Sequence, residues 1–225
     1  MEKNKDNAVI LFARDPILGQ VKTRLRPSLD DETILNLYTC FVEDSLEKIR
    51  QVDNVKCFVG VSPENHSGFF EGIESFGMSL FVQRGKDLGD KMRQAFVDRF
   101  AEGYKKVVII GSDSPSLPVS YIYKALASDK DLVLGPSTDG GYYLIAMSGK
   151  VSEVFSGIAW GTKNVLDETL EKIKGSSGSL ELLPIWYDVD SADDLKFLKT
   201  HLELFTHSGL CEGGKTKIFL DGISF

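Results

Sequence analysis

Ala8-Val-Ile-Leu-Phe-Ala13, followed at once by Arg14-Asp-Pro-Ile-Leu-Gly-Gln-Val-Lys-Thr-Arg-Leu-Arg26, decides how this chain of 225 residues is read. The first six residues are apolar without alternation, so the strand they predict is covered on both faces. A strand covered on both faces implies helices above and below a mainly parallel sheet. Four cations then fall within thirteen residues, Arg14, Lys22, Arg24 and Arg26, and Pro16 and Gly19 keep that segment out of regular structure. In open sheets of this kind ligands bind beyond the carboxyl ends of the strands, which is where this segment falls.

Similar alternation continues outward. Strands are predicted at Cys57–Val61, Met78–Val82, Val107–Ile110, Leu132–Leu134, Tyr142–Met147 and Leu182–Tyr187. Between them, Ile34, Leu37, Phe41, Leu46 and Ile49 recur at helical spacing, as do Leu88, Met92, Ala95, Phe96 and Phe100, and later Val165, Leu166, Leu170 and Ile173. Ser62-Pro63 reads as a helix start, a capping hydroxyl before a first-turn proline. Ser191-Ala-Asp-Asp194 reads as an acidic capping box opening the helix of Leu195 and Leu198. The expected fold is α/β, a Rossmann-like, mainly parallel mixed sheet with helices on both faces. The length lies below the ~250–300 residues at which cores split, so residues 1–225 are read as one domain. Gly175-Ser-Ser-Gly-Ser179 is read as a surface loop, and residues from about 201 onward as an irregular extension.

Lys and Arg number 26 against 33 Asp and Glu, a net charge of −7. So acidic a chain is not drawn to nucleic acid or anionic lipid, and neither is an expected partner. A phosphate ligand needs a local basic cluster, which the first loop supplies through charge-assisted hydrogen bonds; the same residues also suit a solvated loop. Cys40, Cys57 and Cys211 lack the spacing of a zinc site and read as buried thiols, and the polar N-terminus leads into too short an apolar run for a signal peptide or membrane span. A cytoplasmic protein is expected. Neither a Walker Gly-Lys pair nor a Gly-x-Gly-x-x-Gly fingerprint follows the first strand, which argues against an ordinary NTPase or a dehydrogenase.

Acidic residues follow two other strands. Asp113, in Gly111-Ser-Asp-Ser-Pro-Ser116, has the chemistry of a Mg²⁺ or Mn²⁺ ligand, since such an ion takes one or two carboxylates and fills its shell with phosphate oxygens and water; side-chain turn formation explains it as well. In Trp186-Tyr-Asp-Val-Asp-Ser191, a period of two puts Asp188 and Asp190 on one side and Val189 on the other. If Asp113 and Asp190 share a metal, they should face one cleft with nothing else to neutralise them. Asp139-Gly140 is a common hairpin turn. Gly140 and Gly141 would also let backbone approach a ligand, and Tyr142, Tyr143 and Trp160 offer flat surfaces suited to a sugar. Thr162 reads as a helix cap.

On these residues the chain resembles the GT-A-type nucleotide-diphospho-sugar transferase superfamily, and more closely a bacterial glycosyltransferase-like group associated with arsenosugar biosynthesis and related to cofactor guanylyltransferases. The resemblance rests on Phe12–Leu25, Gly111–Pro115, Leu134–Ile145, Trp160–Thr162 and Asp188–Leu195, in family order over roughly residues 8–198. It implies a nucleotide held by Arg14, Lys22 and Arg24, a metal held by Asp113 and Asp190, and a sugar or acceptor facing Asp139, Gly140, Gly141, Tyr142 and Trp160. The expected activity is metal-assisted transfer from a nucleotide sugar to a small acceptor, with Lys22 stabilising the leaving diphosphate and Asp139 orienting or deprotonating the acceptor hydroxyl. Nucleotidyl transfer from an NTP to a phosphorylated acceptor, and nucleotide binding without catalysis, are the alternatives. The chain departs from the family's Asp-x-Asp pattern, with Ser112 and Ser114 flanking a single acid, and its first loop contains only Gly19.

Overall fold

Strand β1 (Asn7–Arg14) is an interior strand, third from one edge, of a seven-stranded sheet in a computed structural model that describes residues 6–64, 66–210 and 214–223. Its side chains alternate between two cores. Val9, Leu11 and Ala13 enter one, while Ala8, Ile10 and Phe12 enter the other, which is why the run is apolar throughout. The remaining strands are β2 (Val55–Ser62), β3 (Met78–Val82), β4 (Lys106–Gly111), β5 (Leu132–Pro136), β6 (Tyr142–Ser148) and β7 (Leu180–Leu182), in the order β3-β2-β1-β4-β6-β5-β7. All run in one direction except β6, which is antiparallel to both β4 and β5.

Helices α1 (Asp31–Arg50), α3 (Val119–Ala127), α5 (Ala192–Ser208) and α6 (Gly214–Asp221) contribute to the larger core through Phe41, Ile122, Leu198 and Leu220. Helix α2 (Leu88–Ala101) supplies Met92, Ala95 and Phe96 to the second core, against which Ile173 of α4 (Val165–Lys174) also packs. Caps read from the sequence form at α5, where the Ser191 side chain accepts from the Asp194 backbone and Asp194 reciprocates.

Several expectations are corrected. The region after residue 201 is helical rather than irregular: α5 continues to Ser208 on Leu195, Leu198 and Leu202, and α6 follows. Helix α6 is capped from a distance, since Asp44 of α1 accepts from the backbone N–H groups of Lys215 and Thr216 at 2.8 and 2.9 Å. Strand β7 sits two residues earlier than predicted and stops at Leu182. Pro184 interrupts the run, and beyond it only Ser137 and Trp186 make a parallel bridge. Ser62 ends β2 and caps no helix; its hydroxyl accepts from Lys91 Nζ at 2.9 Å. Helix α3 adds an element beyond those the sequence pattern marks, since Val119, Tyr121, Ile122 and Tyr123 are residues that favour strands. Cys40 is only half-buried, Cys57 is buried and donates to the Ile49 carbonyl at 3.1 Å, and Cys211 lies outside the described residues.

Candidate functional site

Lys22 is drawn inward by its neighbours. Val21 and Leu25 are buried in the core, and between them the Lys22 backbone adopts a left-handed conformation, φ 44° and ψ 38°, before a single 3-10 turn over Thr23–Leu25. Such a conformation is uncommon outside glycine and Asn. It delivers the ammonium to the ends of two other elements. Lys22 Nζ lies 2.7 Å from Asp113 Oδ1 and 2.7 Å from Asp190 Oδ1, and its side chain is only 6% exposed. Burial by itself would lower the Lys22 pKa; the charges of Asp113 and Asp190 and their hydrogen bonds more than reverse this, so the pKa is raised.

The loop after β4 uses its serines as pins. Ser112 is buried and shares a 3.1 Å hydrogen bond with Tyr38 of α1. Ser114 donates to Asp188. Ser116, fully buried, donates to the Tyr187 hydroxyl at 2.8 Å and accepts from Trp186 Nε1 at 3.3 Å. Together with the Val189 N–H donating to the Asp113 carbonyl at 2.9 Å, these bonds fasten the segment 186–190 alongside the loop of Asp113. The serines flanking Asp113 are thus structural, which leaves its carboxylate, 46% exposed, as the outward group.

Asp188 and Asp190 have separate roles. Val189 is buried, as the period of two required, and both acids lie on the site side. Asp188 accepts from Ser114 and from Ser137, the latter at 3.0 Å, and burial, then the nearby charge of Asp113, pushes its carboxyl up to about 6. Asp190 faces the cations. Burial pushes its pKa up, yet Lys22, then Arg24 and Arg14, outweigh that and hold it below the usual range. Arg24 Nη1 is 3.4 Å from Asp190 Oδ2 on a side chain 73% exposed, and Arg14 is exposed at the end of β1. Arg26 is drawn away, to Asp31 and to the Gly19 carbonyl.

The expectation that nothing would neutralise Asp113 and Asp190 is corrected: Lys22 does so. No group of three or more His, Cys, Asp or Glu side chains gathers around one point among the described residues. The two carboxylates nonetheless converge, because one oxygen of each touches the same ammonium. That donor set fits Mg²⁺ or Mn²⁺, which keeps several positions for water and phosphate.

The sugar-facing expectations change more. Asp139 Oδ1 accepts from the Gly141 N–H at 2.9 Å, shaping its own turn, and the acid lies close enough to Asp188 for its charge to help raise that pKa. Gly140, at φ 92°, makes room for protein: a Cβ there would meet the Lys163 carbonyl at 2.2 Å, and its own carbonyl accepts from Leu166 N–H at 2.8 Å. A Cβ at Gly141 would first meet the Asp139 carboxylate, at 3.4 Å. Tyr143 is buried, its hydroxyl donating to the Pro184 carbonyl at 2.8 Å. Tyr142 and Trp160 pack edge to face, centroids 6.2 Å apart, with the Tyr142 hydroxyl and Trp160 Nε1 buried. The expected pair of flat tyrosine surfaces is therefore absent. Thr162 caps no helix; its hydroxyl donates to the Ala159 carbonyl at 2.8 Å. Ser116, Ser137 and Tyr187 escaped the sequence reading, since an isolated serine or tyrosine carries no signal of its distant partner.

This sheet order and these loops define the class, the nucleotide-diphospho-sugar transferase fold. A crystal structure from Desulfovibrio desulfuricans G20, provisionally assigned as a nucleotide-diphospho-sugar transferase, superposes with a TM-score of 0.84 at 30% identity, covering 96% of this chain and 94% of that one. The fold is also shared by 4-diphosphocytidyl-2C-methyl-D-erythritol synthase of Anaerococcus prevotii DSM 20548 (TM-score 0.60, 8% identity, 88% and 96% covered) and by a cytidylyltransferase of Leptospira borgpetersenii serovar Hardjo-bovis (0.57, 12%, 97% and 93%). Residues 45–162 match the model of the family described as "Uncharacterized protein conserved in bacteria (DUF2064)", and the chain belongs to that family. A curated relative, UDP-N-acetylmuramoylalanine--D-glutamate ligase of Natranaerobius thermophilus, is 28% identical over 149 residues; the match takes in 63% of this chain and 29% of that ligase's length. Among the described residues no helix is long and apolar enough to cross a membrane.

Proposed function

We propose that the chain is a metal-assisted transferase using a nucleotide sugar as donor to a small-molecule acceptor. The observation that carries this reading is the meeting of Lys22, Asp113 and Asp190 at one point, with Arg14 and Arg24 beside it. Because the only glycine of the first loop, Gly19, faces Arg26 and Asp31, phosphates would be held by side chains rather than by a backbone cradle. Asp113 and Asp190 would hold Mg²⁺ or Mn²⁺, which supplies Lewis-acid stabilisation of diphosphate charge when bound. Arg14 and Arg24 would grip the phosphates through charge-assisted hydrogen bonds, and Lys22 would add a further positive charge. In the transfer, the acceptor oxygen bonds to the sugar's anomeric carbon, the bond from that carbon to the diphosphate oxygen breaks with its electron pair, and Asp139 takes the acceptor proton.

A second reading, nucleotidyl transfer from an NTP, is favoured by the fold shared with cytidylyltransferases. Incubation with panels of nucleotide sugars and NTPs separates the two by the released product. Nucleoside diphosphate supports glycosyl transfer and pyrophosphate supports nucleotidyl transfer. Binding without release of either, across panels of donors and acceptors, leaves a non-catalytic nucleotide module.

A further inference from the structure

We infer that Lys22 is a displaceable internal counter-ion that closes the two-carboxylate site to free divalent metal, so that metal enters only with a phosphate ligand that draws the lysine away. The inference rests on the reading of Asp113 and Asp190 as a metal pair and adds an order of events to it. Three observations carry it. The ammonium touches one oxygen of each carboxylate at 2.7 Å, occupying the point where their donors converge. Its side chain is 6% exposed, whereas Asp113 and Asp190 are 46% and 33% exposed, so the lysine lies beneath acids that a ligand can reach. Its backbone, in the left-handed region, sits in a loop bearing Pro16 and Gly19 rather than within a long helix or strand, so a change of a few torsions suffices to re-aim it.

Two positive centres cannot share this point, since an ammonium and a divalent ion at contact distance repel strongly. A phosphate ligand offers Lys22 an alternative anionic partner, and Arg14 and Arg24 already stand where such a ligand would be gripped. Free metal, lacking phosphate, has nothing to offer the lysine. If the lysine occupies the point more than nine-tenths of the time, the apparent affinity for free metal falls at least ~10-fold.

The test is Mn²⁺ binding without nucleotide, followed by the electron paramagnetic resonance signal of unbound Mn²⁺. It compares wild type, Lys22→Met, Asp113→Asn and the double variant Lys22→Met/Asp113→Asn, each checked for folding by circular dichroism, with Lys22→Gln in reserve. The expected result is one Mn²⁺ bound by Lys22→Met at least ~10-fold more tightly than by wild type, and loss of that binding in the double variant. Equal binding by wild type and Lys22→Met, abolished in both by Asp113→Asn, overturns the counter-ion role while leaving the metal pair intact. Absence of Mn²⁺ binding in every variant, with a nucleoside diphosphate present as well, overturns the metal pair and this inference with it.

Discussion

Removing the Lys22 ammonium while keeping its stem, as in Lys22→Met, leaves Asp113 and Asp190 facing each other with Arg24 and Arg14 nearby. Breaking a fully buried pair costs about 3–5 kcal/mol and an exposed one about 0.2–1 kcal/mol. Here the lysine is buried but both acids are part-exposed, so water screens the residual repulsion, and the expected loss is about 1–2 kcal/mol at pH 7.5. For a chain of this size that lowers Tm by roughly 3–6 °C. The pH dependence follows from the Asp190 shift. Its pKa is held low in the folded protein, so the stability it contributes is present above the unfolded carboxylate value and lost as pH falls through the folded one. In the variant Asp190 loses its main cation and takes up its proton at higher pH, which relieves the repulsion. The penalty should therefore shrink between about pH 5 and pH 3. Urea unfolding of both proteins at pH 7.5 and pH 4 measures it. An equal penalty at both pH values would show a packing loss instead, and no penalty at pH 7.5 would refute the ion triad.

Ser116→Ala should cost about 1–3 kcal/mol, because a fully buried hydroxyl that serves both Trp186 and Tyr187 is lost, and in a Trp160→Phe background the Trp186 emission should shift. An unchanged spectrum and Tm would remove the pin. Asp188, with its carboxyl pushed up to about 6, makes the folded state bind more protons than the unfolded one between about pH 4 and 6. Stability should fall as pH rises through that window, and Asp188→Asn should flatten the trend in urea midpoints. Gly140→Ala should lower stability by ~2 kcal/mol or more, since its φ is 92° and Lys163 backbone blocks a Cβ, whereas Gly149→Ala, at φ 71° with open space around it, should cost only ~1–2 kcal/mol. Equal Tm losses for the two would contradict the Gly140–Lys163 contact.

The fold was largely legible because burial on two faces writes a continuous apolar run, as at Ala8–Ala13, and because amphipathic helices such as α1 carry their period openly. Strand β7 was misplaced since its three residues are held by pairing with β5 and not by their own pattern. Helix α6 depends on Asp44, a partner remote in sequence, and so left no local mark. At the site, the residue types and the shared edge were legible for Lys22, Asp113 and Asp190, because topology sends every loop after a parallel strand to the same edge. Their pairing was not. The sequence points Lys22 at phosphate, yet it lies on the acids, since charges gathered at one edge satisfy each other. Tyr143 reads as a sugar surface but is buried, because an aromatic ring looks the same in sequence whether it faces solvent or core.

On the proposed function, the loop of Lys22 and the acids Asp113 and Asp190 form one metal-assisted nucleotide site. Calorimetric titration of wild type and Asp113→Asn with nucleoside diphosphates, with and without Mg²⁺, tests it most directly. Mg²⁺ should strengthen binding to wild type, and Asp113→Asn, still folded, should lose the Mg²⁺-dependent part. Mg²⁺-dependent binding that survives intact in Asp113→Asn would contradict it.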